Sequence, residues 1–347
     1  MEQKKAAVVA TMKDVADKAG VSTATVSRAL MNPEKVSALT RQKVQRAVHL
    51  VGYCAQTIGR QSKRHDTHTL LAAVPDIGDP FFSGILRGIE ETADEQGYLV
   101  LVIDYAHQLS AKKSFCELFG ARQIDGVLLL GSDPPFNIDK TEQQNLPPMV
   151  MINEFVPELQ LPTVHIDNLT AAYDAVDYLV GLGHRRIGFI SGPAHQMLCQ
   201  YRLQGYIQAI SRHGIAPDEQ LVFRGKASFQ TGAAGLNALI SRACPPTAIF
   251  CHNDIIAFGA LSQARKNGLG VPADISLVGF DDIAFAHFCD PPLTTVAQPS
   301  YQLGREALLL LLRQVRQQVV GSTSLLLESK LIVRGSTSIP PIKTYTQ

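Results

Sequence analysis

The sequence has no CxxC pair, no GxSxG, no P-loop and no HExxH. Those absences remove the usual signatures of zinc binding, serine hydrolysis, nucleotide hydrolysis and metalloproteolysis. The six cysteines, Cys54, Cys116, Cys199, Cys244, Cys251 and Cys289, are scattered and suggest neither a metal site nor a disulfide framework. His165, His184, His252 and His287 are equally dispersed and read as loop or packing residues. Gly181-Leu182-Gly183-His184 ends a helical pattern where a dinucleotide loop would follow a strand. Asp281-Asp282 are adjacent carboxylates after a strand, which point in different directions and make a poor catalytic pair. No catalytic residue, metal or cofactor is therefore expected. Long apolar runs are missing as well. Ala6–Ala10 is too short for a signal core, and Leu308–Leu312, in a helix of the core or of a subunit interface, cannot span a bilayer. A soluble, cytoplasmic protein is expected.

What is present is a charge asymmetry. Residues 1–64 hold 12 Lys and Arg against 4 Asp and Glu, whereas the remainder carries a net charge of −7. A small basic unit on a larger acidic one suits a nucleic-acid-binding head on a soluble body, since phosphates attract the one and repel the other.

The basic unit has its own pattern. Thr11 and Asp14 form a capping-box arrangement before Val15, Ala16 and Ala19, an apolar face at helical spacing. Gly20 supplies a turn, and Ser22 caps a second helix, Thr23 to about Leu30, with Val26, Ala29 and Leu30 inward. Its other face carries Thr23, Ala24, Ser27 and Arg28, small residues around one long donor fork, as a helix entering a major groove requires. An αα-hairpin with a merely solvated face is the plainer alternative. Ser37 then caps a third helix with Val44, Ala47, Val48 and Val51 inward, which Gly52 ends. Residues 56–66 are polar and basic, a linker.

From Thr69 strands alternate with helices. Apolar runs at Leu70–Val74, Leu99–Ile103, Gly126–Leu130, Met149–Ile152, Thr163–Ile166, Ile187–Ile190, Ala248–Cys251 and Leu277–Gly279 are interleaved with helical patterns at Phe81–Gly97, Ala171–Leu182, Arg202–His213 and Ile255–Asn267. That alternation predicts parallel sheets, and the number of strands predicts two doubly wound lobes. Ligands of such sheets lie beyond the strand carboxyl ends. There the sequence puts Asp76 with Phe81 and Phe82, Asp104, Asn153, Asp167, Asn253-Asp254 and Asp281-Asp282, with Arg202 one loop away. Carboxylates, amides, an arginine and aromatics together suit a sugar or nucleoside held between the lobes. A lone Asp after a strand is more often a helix cap.

Thr11–Asp14, Ala19–Ser22, Thr25–Arg28, Val36-Ser37, Thr40-Arg41 and Gly52-Tyr53 resemble the DNA-binding head of the lactose/galactose repressor family. Asp79–Phe82, His165–Asn168, Gly183–Ile187, Arg202–Tyr206, Gly279–Asp281 and Pro292–Thr295 follow in that family's order, so the likeness covers almost the whole chain. The resemblance implies an all-α helix-turn-helix head, 1–55, a hinge or linker, 56–66, and an α/β body of periplasmic-binding-protein type, 67–340. It implies an N-lobe of about 67–166 and 298–325 and a C-lobe of about 167–297 and 326–340. Base-reading positions fall on Thr23, Ala24 and Arg28. Phosphate-side contacts fall on Ser22, Thr25, Ser27, Thr40 and Tyr53, and Gln56, where the hinge starts, is counted with the DNA-binding residues. Effector contacts fall on Phe81, Phe82, Asn153, Arg202, Asn253 and Asp281.

Within the family, Val21–Val36 and Leu161–Leu169 are most similar to its cytidine-responsive members. That similarity implies a homodimeric repressor of nucleoside uptake and catabolism genes, released by cytidine and cooperating with the cyclic-AMP receptor protein. Two departures stand out. Ser62 occupies the hinge position of the family's apolar wedge, with Gly59 beside it, which predicts a flexible tether and tolerance of half-site spacing. Gly225-Lys226-Ala227 replaces a Gly-Asp-aromatic segment, removing a stacking wall that Phe229 could restore, and leaves a sugar-responsive, ribose-type repressor as the alternative. A transport-type solute-binding protein would share the lobes but has no use for the basic head.

Overall fold

The computed structural model describes residues 12–31, 35–51, 67–105, 123–131, 147–156, 159–317 and 324–341. Thr11, Tyr53, Gln56 and the hinge stretch with Gly59 and Ser62 lie outside them. The chain divides into two units at His65/Asp66.

The first unit has three helices: α1, Met12–Ala19; α2, Thr23–Met31; and α3, Ala38–Val51. Gly20 is left-handed at φ 66°, and the Val21 amide donates back to the Ala16 carbonyl at 3.1 Å, closing α1 as only a residue without Cβ does cheaply. Ser22 accepts from the Thr25 amide at 3.2 Å, and Ser37 from the Thr40 amide at 3.2 Å, so both caps form as their sequences predict. Val15, Ala16, Val26, Ala29, Val44 and Ala47 make the core. It is small, at about 1.5–3 kcal/mol for each buried valine, and the two side-chain caps therefore matter to it.

The second unit contains two six-stranded sheets. The N-lobe sheet holds β1 (Thr69–Val74), β2 (Leu99–Asp104), β3 (Gly126–Leu129), β4 (Met149–Ile152), β5 (Thr163–Ile166) and β11 (Ser324–Leu327), ordered β11-β5-β4-β3-β1-β2 and parallel throughout. The C-lobe sheet holds β6 (Ile187–Ser191), β7 (Val222–Arg224), β8 (Ala248–Cys251), β9 (Ser276–Asp281), β10 (Thr294–Ala297) and β12 (Lys330–Ile332), ordered β12-β10-β9-β8-β6-β7, with β12 antiparallel. β3, β4, β6, β8 and β9 are buried along their whole length, as strands covered on both faces must be.

Four helices of the body start where short polar side chains bond their first free amides. Asp79 caps α4, Pro80–Glu95, with Pro80 in its first turn. Asp167 caps α5, Asn168–Gly181, and Ser228 caps α7, Phe229–Ile240. Asn253 caps α8, Asp254–Lys266. Between them, α6 runs Met197–Arg212 with no side-chain cap, so its start five residues before Arg202 has no local signature. Arg202 thus lies inside the helix and not at its first residue, where the sequence pattern starts it. The short α9, Phe285–Phe288, precedes β10, and α10 covers Ser300–Val315. In α10, Leu308, Leu310, Leu311 and Leu312 are buried in the N-lobe core with Ile85 and Ile89 of α4. Gly88 and Gly304 let these two helices touch, since a Cβ at either would overlap the partner's backbone carbonyl.

Three strands of chain cross between the lobes: after β5 at Asp167, after β10 at Gln298-Pro299, and after β11 at Glu328-Ser329. The last crossing lies two residues beyond the expected 325/326 boundary, because Leu326 and Leu327 still pair with β5.

Candidate effector site and nucleic-acid face

In the head, α2 turns Val26 and Ala29 inward and leaves Ser22, Thr23, Ala24 and Arg28 exposed, with Thr25 and Ser27 half-buried beside them. The Thr25 hydroxyl shares a hydrogen bond with Ser22 Oγ at 2.9 Å, and Thr40 pairs with Ser37 Oγ at 2.8 Å. Hydroxyls fixed at two helix starts, beside free N-terminal amides, are suited to phosphate oxygens. Arg28 supplies the bidentate fork that matches a guanine edge.

In the body, the strand ends converge on Arg202, which is 2% exposed. Its Nε donates to Asn168 Oδ1 at 3.0 Å, and Nη1 to the His252 carbonyl at 2.5 Å. Nη2 lies 3.7 Å from Asp281 Oδ1, and the guanidinium carbon sits 3.5 Å over the Phe280 ring. An interior cation must be matched on every side, and here a carboxylate, an amide, a carbonyl and a π face do so. Asp281 is itself buried and accepts from Gln298 Nε2 at 2.8 Å. Burial pushes its carboxyl up to about 7; Arg202 opposes the rise and Asp79 adds to it. Asp281 and Asp282 both sit at positive φ, 105° and 54°, an arrangement that costs on the order of 1–3 kcal/mol each and turns their side chains apart. Asp282 accordingly pairs with Arg334 at 2.7 Å. Behind them Asp254 accepts from Thr295 Oγ1 at 2.6 Å and the Ile283 amide at 2.9 Å. Burial first, then Asp281, holds it well above the usual carboxylate range.

The opposite wall belongs to the N-lobe. Asn153, at φ 69°, and Glu154 follow β4, and both are buried. The Glu154 charge acts on Arg202 and on the Cys199 thiol across the gap. Burial lifts that thiol to about 11, so it stays protonated. The ring of His252 lies beside it, Nε2 to Sγ 3.7 Å, and burial together with Arg202 keeps this imidazole neutral.

Of the six expected effector residues, Arg202 and Asp281 form the buried pair, and Asn153 lines the wall with its Oδ1 buried and without a hydrogen bond. Asn253 spends its Oδ1 on capping α8, accepting from the Ile256 amide at 3.0 Å. Phe81 and Phe82 pack edge to face, 5.5 Å between centroids, within the N-lobe core. Asp76, Asp79 and Asp167 make local loop and cap bonds, the bland role of a carboxylate after a strand. Phe229 does not replace the missing wall. It is half exposed and lines an apolar groove with Phe258, Phe285 and Phe288, because it begins α7 on the side packed against α8. Sequence reasoning passed over Asn168, His252, Gln298 and Glu154. Asn168, His252 and Glu154 each adjoin a residue it did single out, and that adjacency was the signal; Gln298 has no such neighbour.

The comparisons with known proteins bear on both units. Residues 11–56 match the family described as bacterial regulatory proteins, lacI family, and residues 176–337 match the periplasmic binding protein-like domain. The HTH-type transcriptional repressor CytR of Escherichia coli (strain K12) is 59% identical over 341 residues, 98% of this chain and 100% of that protein. The chain belongs to the lacI family of bacterial regulatory proteins. The ribose operon repressor of Haemophilus influenzae, another relative, is 32% identical, covering 94% of this chain and 98% of its own. Among solved structures of this family's fold, the transcriptional regulator CelR–cellobiose complex superposes with a TM-score of 0.71 at 32% identity, covering 94% of this chain and 99% of that one. A LacI family regulator from Enterococcus faecium with bound ribose gives 0.70 at 27% identity, covering 78% and 99%. No described helix is long and apolar enough to cross a membrane.

Proposed function

We propose that this lacI-family protein is a sequence-specific transcriptional repressor, not an enzyme, that acts in the cytoplasm and leaves its operator when cytidine enters the body, controlling nucleoside uptake and catabolism. The observation that carries the effector half of this reading is the buried Arg202–Asp281 pair. It sets a donor fork and an acceptor side by side, the combination that a sugar diol satisfies. The 59% identity to CytR supports the DNA-binding half and the choice of cytidine. The repressor works as a homodimer on a pseudo-palindromic operator. The groove of about 640 Å³ that includes Phe285 and Phe288, 62% and 80% exposed, supports a second copy as its cover. Cooperation with the cyclic-AMP receptor protein at shared promoters completes the reading, by supplying affinity through effective concentration.

A ribose-type effector is the second reading. Ala227, exposed and without a ring where a stacking wall was expected, favours it, as does the ribose operon repressor relative. Calorimetric titration of the full chain with cytidine, adenosine and ribose decides between them, followed by operator binding with each ligand. Heat from cytidine with loss of operator binding is expected. Heat from ribose alone moves the protein to the second reading, and a monomer in sedimentation at micromolar concentration removes the dimer.

A further inference from the structure

Three partly exposed rings meet between the lobes. Phe155 follows Asn153 and Glu154 on the N-lobe wall, and its ring centroid lies 5.8 Å from that of Tyr201, with the planes inclined at 32°. Tyr201 precedes Arg202 on α6 of the C-lobe, so this contact joins one lobe to the other. On the N-lobe side Phe155 also meets His165, at 5.9 Å and 42°. That imidazole is bonded at both nitrogens, Nδ1 to the Ile166 carbonyl at 2.9 Å and Nε2 to Ser324 Oγ at 2.7 Å, so it braces Phe155. Among the described residues neither Phe155 nor Tyr201 packs into the hydrophobic core of its own lobe.

The pair stands beside the polar site. Tyr201 is the chain neighbour of Arg202, and His165 comes three residues before Asn168, which holds that guanidinium. Asn153, two residues before Phe155, is 5% exposed and its Oδ1 has no hydrogen bond, a capacity that a ligand can meet. Other rings near the site are committed. Phe280 lies under Arg202, Phe81 and Phe82 fill the N-lobe core, Phe229 lines a different groove, and residue 227 is alanine. A pyrimidine that leaves water needs a π or apolar surface to cover its faces. We propose that Phe155 and Tyr201 form the stacking wall for the base of the nucleoside, in place of the missing ring at position 227. The inference rests on the nucleoside reading of the site and assigns the residues that separate a nucleoside from its free sugar. Because one ring belongs to each lobe, a base laid on the pair is held by both lobes. Free ribose engages Arg202 and Asp281, both of the C-lobe, and leaves the wall bare.

The test is calorimetric titration of the full chain with cytidine and with ribose, for the wild type, Phe155→Leu, Tyr201→Leu and Tyr201→Phe. Each leucine variant is expected to bind cytidine about 5- to 150-fold more weakly, the span of base–aromatic stacking, and to bind ribose as the wild type does. Tyr201→Phe keeps the ring and should stay within about twofold for both ligands. Proton magnetic resonance of cytidine with the wild type adds a readout that needs no variant, since ring currents move cytosine H5 and H6 upfield when the base lies on an aromatic face. Leucine variants that bind cytidine unchanged overturn the proposal alone, as does bound cytidine without the upfield shift. Loss of ribose by the same factor as cytidine overturns it too, because the rings would then serve the lobes and not the base. If the wild type takes ribose and no cytidine, the nucleoside reading falls and the wall with it, so the two ligands tell these failures apart.

Discussion

Asp281 offers a direct measure of how far the buried pair controls the body. Burial pushes its carboxyl up to about 7 in the folded protein, from 3.8 for an ordinary aspartate. A carboxylic acid held up in this way binds more protons folded than unfolded throughout that interval. Stability therefore falls as pH rises across it, at about 1.4 kcal/mol per pH unit and roughly 4 kcal/mol in all, and levels above pH 7. Replacing Asp281 by Asn keeps the shape and removes the titration. His184 and His252, whose folded values are depressed by burial, slope the opposite way, since their neutral burial favours folding more as pH rises. The informative quantity is consequently the difference between wild type and Asp281→Asn, taken from urea unfolding at each half unit from pH 4.5 to 8.5. The variant should gain on the wild type steadily up to neutral pH and run parallel to it afterwards. Two curves that stay parallel throughout would refute the burial argument and would mean that Arg202 offsets the desolvation of Asp281 completely.

The other expectations concern separate parts of the chain. Arg28→Ala should weaken operator binding by about 1–3 kcal/mol while leaving binding to random DNA nearly intact, which fluorescence anisotropy against both sequences checks. Leu308→Ala, at a fully buried position between α4 and the N-lobe sheet, should cost about 2–5 kcal/mol in denaturant unfolding of the body. Operators whose half-sites are moved apart should bind with similar affinity if Gly59 and Ser62 leave the tether loose, and a sharp optimum at one spacing would contradict this.

Much of the architecture was legible because the physics is local. The caps at Ser22 and Ser37 and the left-handed Gly20 mark boundaries that the structure reproduces to within a few residues. The edge strands β7, β11 and β12 were not legible, being three or four residues long and only half-buried. The start of α6 was missed because Gln196 forms no cap bond. At the site, sequence pattern pointed to residues that follow strands but could not separate a ligand contact from a cap. Asn253 and Asp167 turned out to serve helices, while His252 and Asn168, one residue away, touch Arg202. Phe229 illustrates the opposite error, since an aromatic close in sequence to a missing wall faces a different groove.

Two of the three chain crossings between the lobes are bonded into the charge pair itself. Asn168 stands at the first and holds Arg202, and Gln298 stands at the second and holds Asp281. Whatever shifts that pair pulls on both connecting strands at once, with no relay through the sheets. A change at Asn168 or Gln298 therefore acts on the connections between the lobes and on the charge pair in one step, where a change elsewhere in the sheets would reach only one of them.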